Sequence, residues 1–133
     1  MDRIRKLEGE NIIVVTNNLE ITLGVVEENR AECRRILAEN DGPFVIVIDY
    51  RDVKTSFVDI IQMIRNNQSG TRADLNQRAF SIFVGEDKLI NMYRDSMLQK
   101  NSGGVSVPYF SDMDQALRAA RLHLSGKSSR NIS

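Results

Sequence analysis

Apolar and polar positions change period several times along the chain, and each change predicts an element. Ile4–Leu7 and Ile12–Val15 are short apolar segments on either side of Glu8-Gly9-Glu10-Asn11, a pattern that predicts a β-hairpin. From Gly24 to Glu39 the apolar residues Val26, Cys33, Ile36 and Leu37 fall on one helical face. Asn40-Asp41-Gly42-Pro43 then stops that helix, with the glycine and proline in the expected order. Phe44–Ile48 is apolar without alternation, as a strand covered on both faces should be. Phe57, Ile60, Ile61 and Ile64 form the next helical stripe.

The second half continues the same way. Asn66 to Arg78 is polar and contains Ser69-Gly70, which predicts a loop with a helical turn near Asp74. Phe80–Val84 is a second buried strand, and Ile90, Tyr93 and Met97 mark a third helix. Val105, Val107 and Tyr109 alternate like a strand with one buried face, and Pro108 places that strand at or near a sheet edge. Ser111 precedes a fourth helix, with Met113, Ala116, Leu117, Ala120 and Leu124 on one side. A hairpin followed by alternating helices and strands predicts an α/β fold. Its single mixed, mainly parallel sheet would hold about five strands and carry about four helices, with Phe44–Ile48 central. No repeat or composition shift divides the chain, so one domain is expected over residues 1–124, followed by a polar, disordered tail at 125–133.

Composition narrows the function classes more than it changes this outline. A chain of 133 residues can bury roughly two-thirds of its unfolded surface in one core. Eighteen Lys and Arg balance eighteen Asp and Glu, so the basic excess that a nucleic-acid binder uses against phosphates is missing. Met1-Asp2-Arg3-Ile4-Arg5-Lys6 lacks the apolar stretch of a signal peptide. Runs such as Phe44–Ile48 have about a quarter of the length needed to cross a bilayer, so no membrane insertion is expected. The one cysteine, Cys33, cannot form an internal disulfide and lies in a helical stripe, as a core residue of a reduced, cytoplasmic protein would.

Candidate chemistry concentrates where the central strand gives way to the next helix. In parallel α/β sheets, ligands and partners meet the protein at the carboxyl ends of strands. Asp49, Arg51, Asp52, Lys54, Thr55 and Ser56 all fall there. Ser56 followed by Asp59 fits an acidic capping box, and Ser111 with Asp114 has the same spacing. Asp49 can bond nearby backbone N–H groups and hold the turn. Asp49 and Asp52 offer two carboxylates to a magnesium ion, but Arg51 between them makes an ion pair the expected arrangement. Glu28 and Asp49, only 21 positions apart, do not fit a phospho-receiver pattern. Lys100-Asn101-Ser102-Gly103-Gly104 follows a helix, whereas a phosphate loop follows a strand, so it is expected to be a turn. The single histidine, His123, is expected at an exposed position on the last helix, away from Cys33, which leaves no nucleophile pair. No enzyme activity, metal or cofactor is therefore expected.

The order of elements, with "FVIVIDYRDVKTSF" and "VSVPYFSDMDQALRAARL", resembles the STAS domain, the SpoIIAA-like or anti-sigma-factor antagonist fold. More closely it resembles bacterial proteins grouped as STAS/SEC14-like, over roughly residues 3 to 124. The resemblance implies a regulatory domain acting through a protein partner, and it is compatible with a homodimer. STAS antagonists are phosphorylated on a serine at the start of the helix after this strand. Ser56, and less well Thr55, stands at the matching place, but the glycine that follows that serine in the family is replaced here by Phe57. The alternative expectation is a small-molecule or lipid-like ligand in a pocket at the carboxyl ends of the strands. A flat elbow with an apolar rim would favour the partner, and a closed cavity with converging polar groups would favour the ligand.

Overall fold

The computed structural model describes residues 3–17, 22–68, 78–98 and 106–126. Five strands form one sheet: β1 (Ile4–Lys6), β2 (Ile12–Thr16), β3 (Phe44–Asp49), β4 (Ala79–Val84) and β5 (Tyr109–Phe110). Their spatial order is the chain order, with β1 and β2 antiparallel and every later pair parallel. Four helices are described: α1 (Leu23–Ala38), α2 (Phe57–Gln68), α3 (Lys88–Ser96) and α4 (Met113–Leu124). The predicted α/β class, hairpin and central β3 are all present.

The sequential order decides how the layers form. Crossovers between parallel strands are right-handed, so steps taken always in one direction carry their helices to one face. The core follows that geometry. Ile13, Val15, Phe44, Ile46 and Phe83 pack toward α1, α2 and α3, meeting Cys33, Ile36, Ile60, Met63, Ile90 and Tyr93. Ile12, Val14, Val45, Val47, Ile82 and Val84 point the other way, where α4 covers them with Ala116 and Ala120. Each central strand therefore needs apolar residues on both faces, which is why β3 does not alternate; Val45 and Val47 are 0% exposed.

Several local expectations are corrected. Phe57 was expected on the buried stripe of α2, yet it is 58% exposed and the helix buries Ile60 and Met63 instead. A residue in the first turn overhangs the end of its helix, so spacing alone did not place it over the sheet. The loop expected from Asn66 begins later, because α2 continues to Gln68. Asn66 Nδ2 donates to Glu27 Oε1 at 2.9 Å, tying that last turn to α1. The helical turn expected near Asp74 lies outside the described residues, as do Val105, the stretch from Lys100 to Gly104 and most of the polar tail.

At the far edge β5 is only Tyr109–Phe110, with Val107 buried just before it and Tyr109 42% exposed. The Arg94 guanidinium lies over the Tyr109 ring, 4.3 Å from its centre. Pro108 does stand at the edge, where its carbonyl accepts from the Phe83 N–H at 3.0 Å. The cap of α4 is Asp112, whose carboxylate accepts from the Gln115 N–H at 2.8 Å, so the expected Ser111–Asp114 box does not form. Aspartate caps as well as serine does, and the helix starts at Met113, the first residue of its apolar stripe and one residue later than a Ser111 cap would place it. His123 is half-buried rather than exposed, stacked on Phe80 with ring centres 4.1 Å apart.

Candidate functional site

The elbow begins where β3 ends. The Tyr50 N–H still donates to the Val84 carbonyl at 2.8 Å, and the chain then turns, with the Val53 N–H bonded to the Tyr50 carbonyl at 3.2 Å. The Asp49 carboxylate fixes the turn from inside. Its Oδ1 accepts from the Arg51 N–H at 3.0 Å, the two-residue reach that lets aspartate mimic a backbone turn. The Arg51 guanidinium adds a two-pronged pair, Nε to Oδ1 at 3.0 Å and Nη2 to Oδ2 at 2.8 Å.

The expected ion pair forms at Asp49, and it is buried on the carboxylate side. Asp49 is only 5% exposed, whereas Arg51 lies half in solvent. The hydrogen bonds to Asp49 raise the Arg51 pKa above its ordinary value, against the opposing effect of desolvation, and the charges of Asp52 and Asp112 add to the rise. Asp49 is thus committed to holding its own turn. Among the described residues no group of three His, Cys, Asp or Glu is arranged to hold a metal ion.

Gly85 explains why the turn can sit so close to β4. Its φ is +132°, and a Cβ there would lie 3.3 Å from the Tyr50 carbonyl carbon and 3.4 Å from the Arg51 nitrogen. Only glycine combines that backbone with that approach. Its N–H donates to the Phe110 carbonyl at 2.9 Å, so one residue joins the ends of three strands.

Beyond the turn, Ser56 opens α2. Its hydroxyl accepts from the Asp59 N–H at 3.2 Å and donates to Asp59 Oδ2 at 3.0 Å. The Ile60 N–H bonds the Ser56 carbonyl at 3.1 Å, the first intrahelical bond. Of the predicted site residues, Arg51, Asp52, Lys54 and Ser56 are exposed, Thr55 is half-buried and Asp49 is buried. Asp49 and Arg51 are joined by side-chain hydrogen bonds. What the residue pattern did not place is the neighbouring apolar pair: Phe57 and Val58 are 58% and 64% exposed, directly after the cap.

A second feature lies behind the elbow. Between the sheet and helices α1 and α3 is a cavity of about 60 Å³. Its walls include Val15, Ile48, Tyr50 and Phe83 at the carboxyl ends of three strands, and Asn29, Arg30 and Cys33 of α1. Asn29 and Arg30 were missed, although a signal existed. They sit between Val26 and Cys33 on the stripe that faces the sheet, and a polar pair at such positions must be buried. Burial pushes the Cys33 thiol up to about 12, which leaves it inert.

Among the described residues, no helix is long and apolar enough to cross a membrane. Compared with known proteins, the chain matches no family model, and no curated protein is similar to it.

Proposed function

We propose that this chain is a non-enzymatic, STAS-like regulatory domain of the cytoplasm that docks a protein partner on the elbow. The observation that carries this reading is the exposed pair Phe57 and Val58, beside the charged side chains of Arg51, Asp52 and Lys54. An apolar centre with a charged rim is the composition of a protein contact. Topology adds support. Ligand crevices of open α/β sheets form where the strand order reverses, and the parallel strands here never reverse. The observed element order, a hairpin followed by alternating helices and strands, is the layout on which the STAS resemblance rests. The lipid-like alternative is disfavoured by size, since about 60 Å³ is far below the several hundred Å³ typical of such pockets.

The test uses the immobilised chain and a Phe57→Asp/Val58→Asp double variant in extract of the source cells. The variant should fold, because Ile60 and Met63, which anchor α2, are untouched. A partner retained by the wild-type chain and purified should bind the variant roughly thirtyfold more weakly, as loss of an aromatic anchor costs about 2 kcal/mol. Identical sets of bound proteins would refute the elbow as the docking surface. Sedimentation of the same two proteins tests the homodimer, which this patch would mediate only if the variant alone becomes monomeric.

A further inference from the structure

The sheet has an open edge at β1. The Thr16 N–H donates to the Arg3 carbonyl at 2.7 Å, and the Leu7 N–H donates to the Ile12 carbonyl at 2.9 Å. Hydrogen-bonded pairs alternate along an antiparallel ladder, so Arg3, Arg5 and Leu7 turn their backbones toward β2. Ile4 and Lys6 therefore point their N–H and C=O groups away from the sheet, and among the described residues nothing bonds to those groups. Two donors and two acceptors in a row are a template for one more strand.

The side chains decide which strand fits. Arg3-Ile4-Arg5-Lys6 is basic at three of its four positions. Arg5 is exposed and forms no ion pair with any described residue. On the opposite face Ile4 packs toward α1, and there Arg3 and Ile4 line a groove of about 380 Å³ against Glu28 and Glu32. Arg3 Nε is buried without a hydrogen-bond partner, a rare state for a polar atom in a native protein. Across the groove Glu28 is exposed, whereas Glu32 is already paired with Arg35 at 2.6 Å. An added strand would thus meet a cation on one face and a donor beside an acceptor on the other. A carboxylate answers the first, and a hydroxyl or amide, which both accepts and donates, answers the second. A second copy of this chain fits poorly. Antiparallel pairing of two such edges about Arg5 sets the two Arg5 side chains directly opposite, where like charges repel.

We propose that β1 is a strand-addition site for an extended acidic segment of a partner protein. The backbone of that segment pairs with Ile4 and Lys6, and one of its carboxylates lies opposite Arg5. Its alternate side chains, neutral hydroxyls or amides, enter the groove between Arg3 and Glu28. Main-chain bonds supply the affinity in this mode, and alternate side chains supply the specificity. The site goes beyond the docking function and does not rest on it, since β1 is a sheet edge and the elbow follows the central strand.

The experiment is an amide NMR titration of the full chain with a blocked pentapeptide of alternating threonine and glutamate. One control peptide carries lysine in place of glutamate, and the other is N-methylated at the amides that would pair. Saturable shifts at Ile4, Arg5 and Lys6 are expected with the glutamate peptide, together with slower hydrogen exchange of the Ile4 and Lys6 amides. Both controls should bind more weakly. Arg5→Glu, at an exposed position, should weaken the glutamate peptide about fivefold and strengthen the lysine peptide. The Phe57→Asp/Val58→Asp variant should bind the glutamate peptide unchanged, which separates failure of this site from failure of the elbow. Several results would each overturn the proposal: no saturable shift, shifts centred away from β1, equal binding of the N-methylated peptide, or unchanged binding by Arg5→Glu. Shifts at Ile4 and Lys6 on concentrating the chain alone would also overturn it, by assigning the edge to a second copy.

Discussion

Replacing Ser56 by alanine tests whether the elbow is a capped turn or a switch. The Ile60 N–H is the first in α2 to find an intrahelical carbonyl, so those of Phe57, Val58 and Asp59 depend on other partners. The Ser56 hydroxyl serves the Asp59 N–H at 3.2 Å, and alanine removes that acceptor. Ser56 is exposed, so water can reach the freed N–H, and the loss should be nearer the middle than the top of the capping range. That is about 1 kcal/mol, or roughly 3–5 °C in Tm for a chain of this size. Ser56→Asp supplies another capping oxygen and a charge that suits the positive end of the helix. It also places that charge near Asp59, three residues on, which offsets part of the gain. Ser56→Asp should therefore remain within about 0.5 kcal/mol of wild type. Urea unfolding followed by circular dichroism, with equal slopes for all three proteins, reads these differences directly. If Ser56→Ala matches wild type, or if Ser56→Asp loses as much as alanine, Ser56 is not acting as the cap. Binding to the partner from the docking experiment supplies the other half. A phospho-switch requires Ser56→Ala and Ser56→Asp to differ sharply in binding while equally folded, whereas a cap predicts similar binding.

Three further outcomes follow from the same geometry. Val47→Asp places a charge at a site with 0% exposure between β3 and α4, and it should cost about 4 kcal/mol or more in urea unfolding; a loss under about 1 kcal/mol would mean that β3 is not central. Gly85→Ala forces a side chain onto a φ of +132° and against the Tyr50 backbone, so a loss of about 3 kcal/mol is expected together with amide shifts at Tyr50 and Arg51; a silent substitution would remove glycine's role in joining the strand ends. Glu10 is paired with Arg121 at 2.7 Å, linking the hairpin to α4, and that hydrogen bond lowers its pKa below the ordinary carboxylate value. A depressed folded pKa contributes stability above the unfolded value that disappears as pH falls through the folded one. Wild type should thus exceed Glu10→Gln in stability at neutral pH and converge with it in acid, and a constant difference across the titration would contradict the pairing.

Local pattern was enough for most of the fold because period reports burial directly. Phe44–Ile48 announced a strand covered on both faces. The stripes through Cys33, Ile60 and Tyr93 announced three helices, since residues three and four apart must share a face. The hairpin and the glycine–proline stop before Phe44 were equally legible, because turn chemistry is local. The Ser56 cap was too, since its two partners lie within three residues.

Only the tertiary structure decided which side of each boundary residue meets protein and which meets water. Phe57 satisfies the spacing of the α2 stripe, but the sheet ends beneath it, so the residue that looked like core became the most exposed aromatic of the elbow. Asp112 rather than Ser111 caps α4, because strand pairing through Phe110 sets where the helix can start. Gly85 carried no local signal of strain, as its need arises from a backbone 35 positions earlier in the chain. The cavity shows the limit most clearly. Asn29 and Arg30 advertise themselves as polar residues on a buried face, yet Tyr93, 63 positions on, is what pairs with Arg30 in the wall of the cavity. Sequence specifies the period and chemistry of each segment, while a cavity lined by three strands and two helices exists only once the crossovers have stacked them.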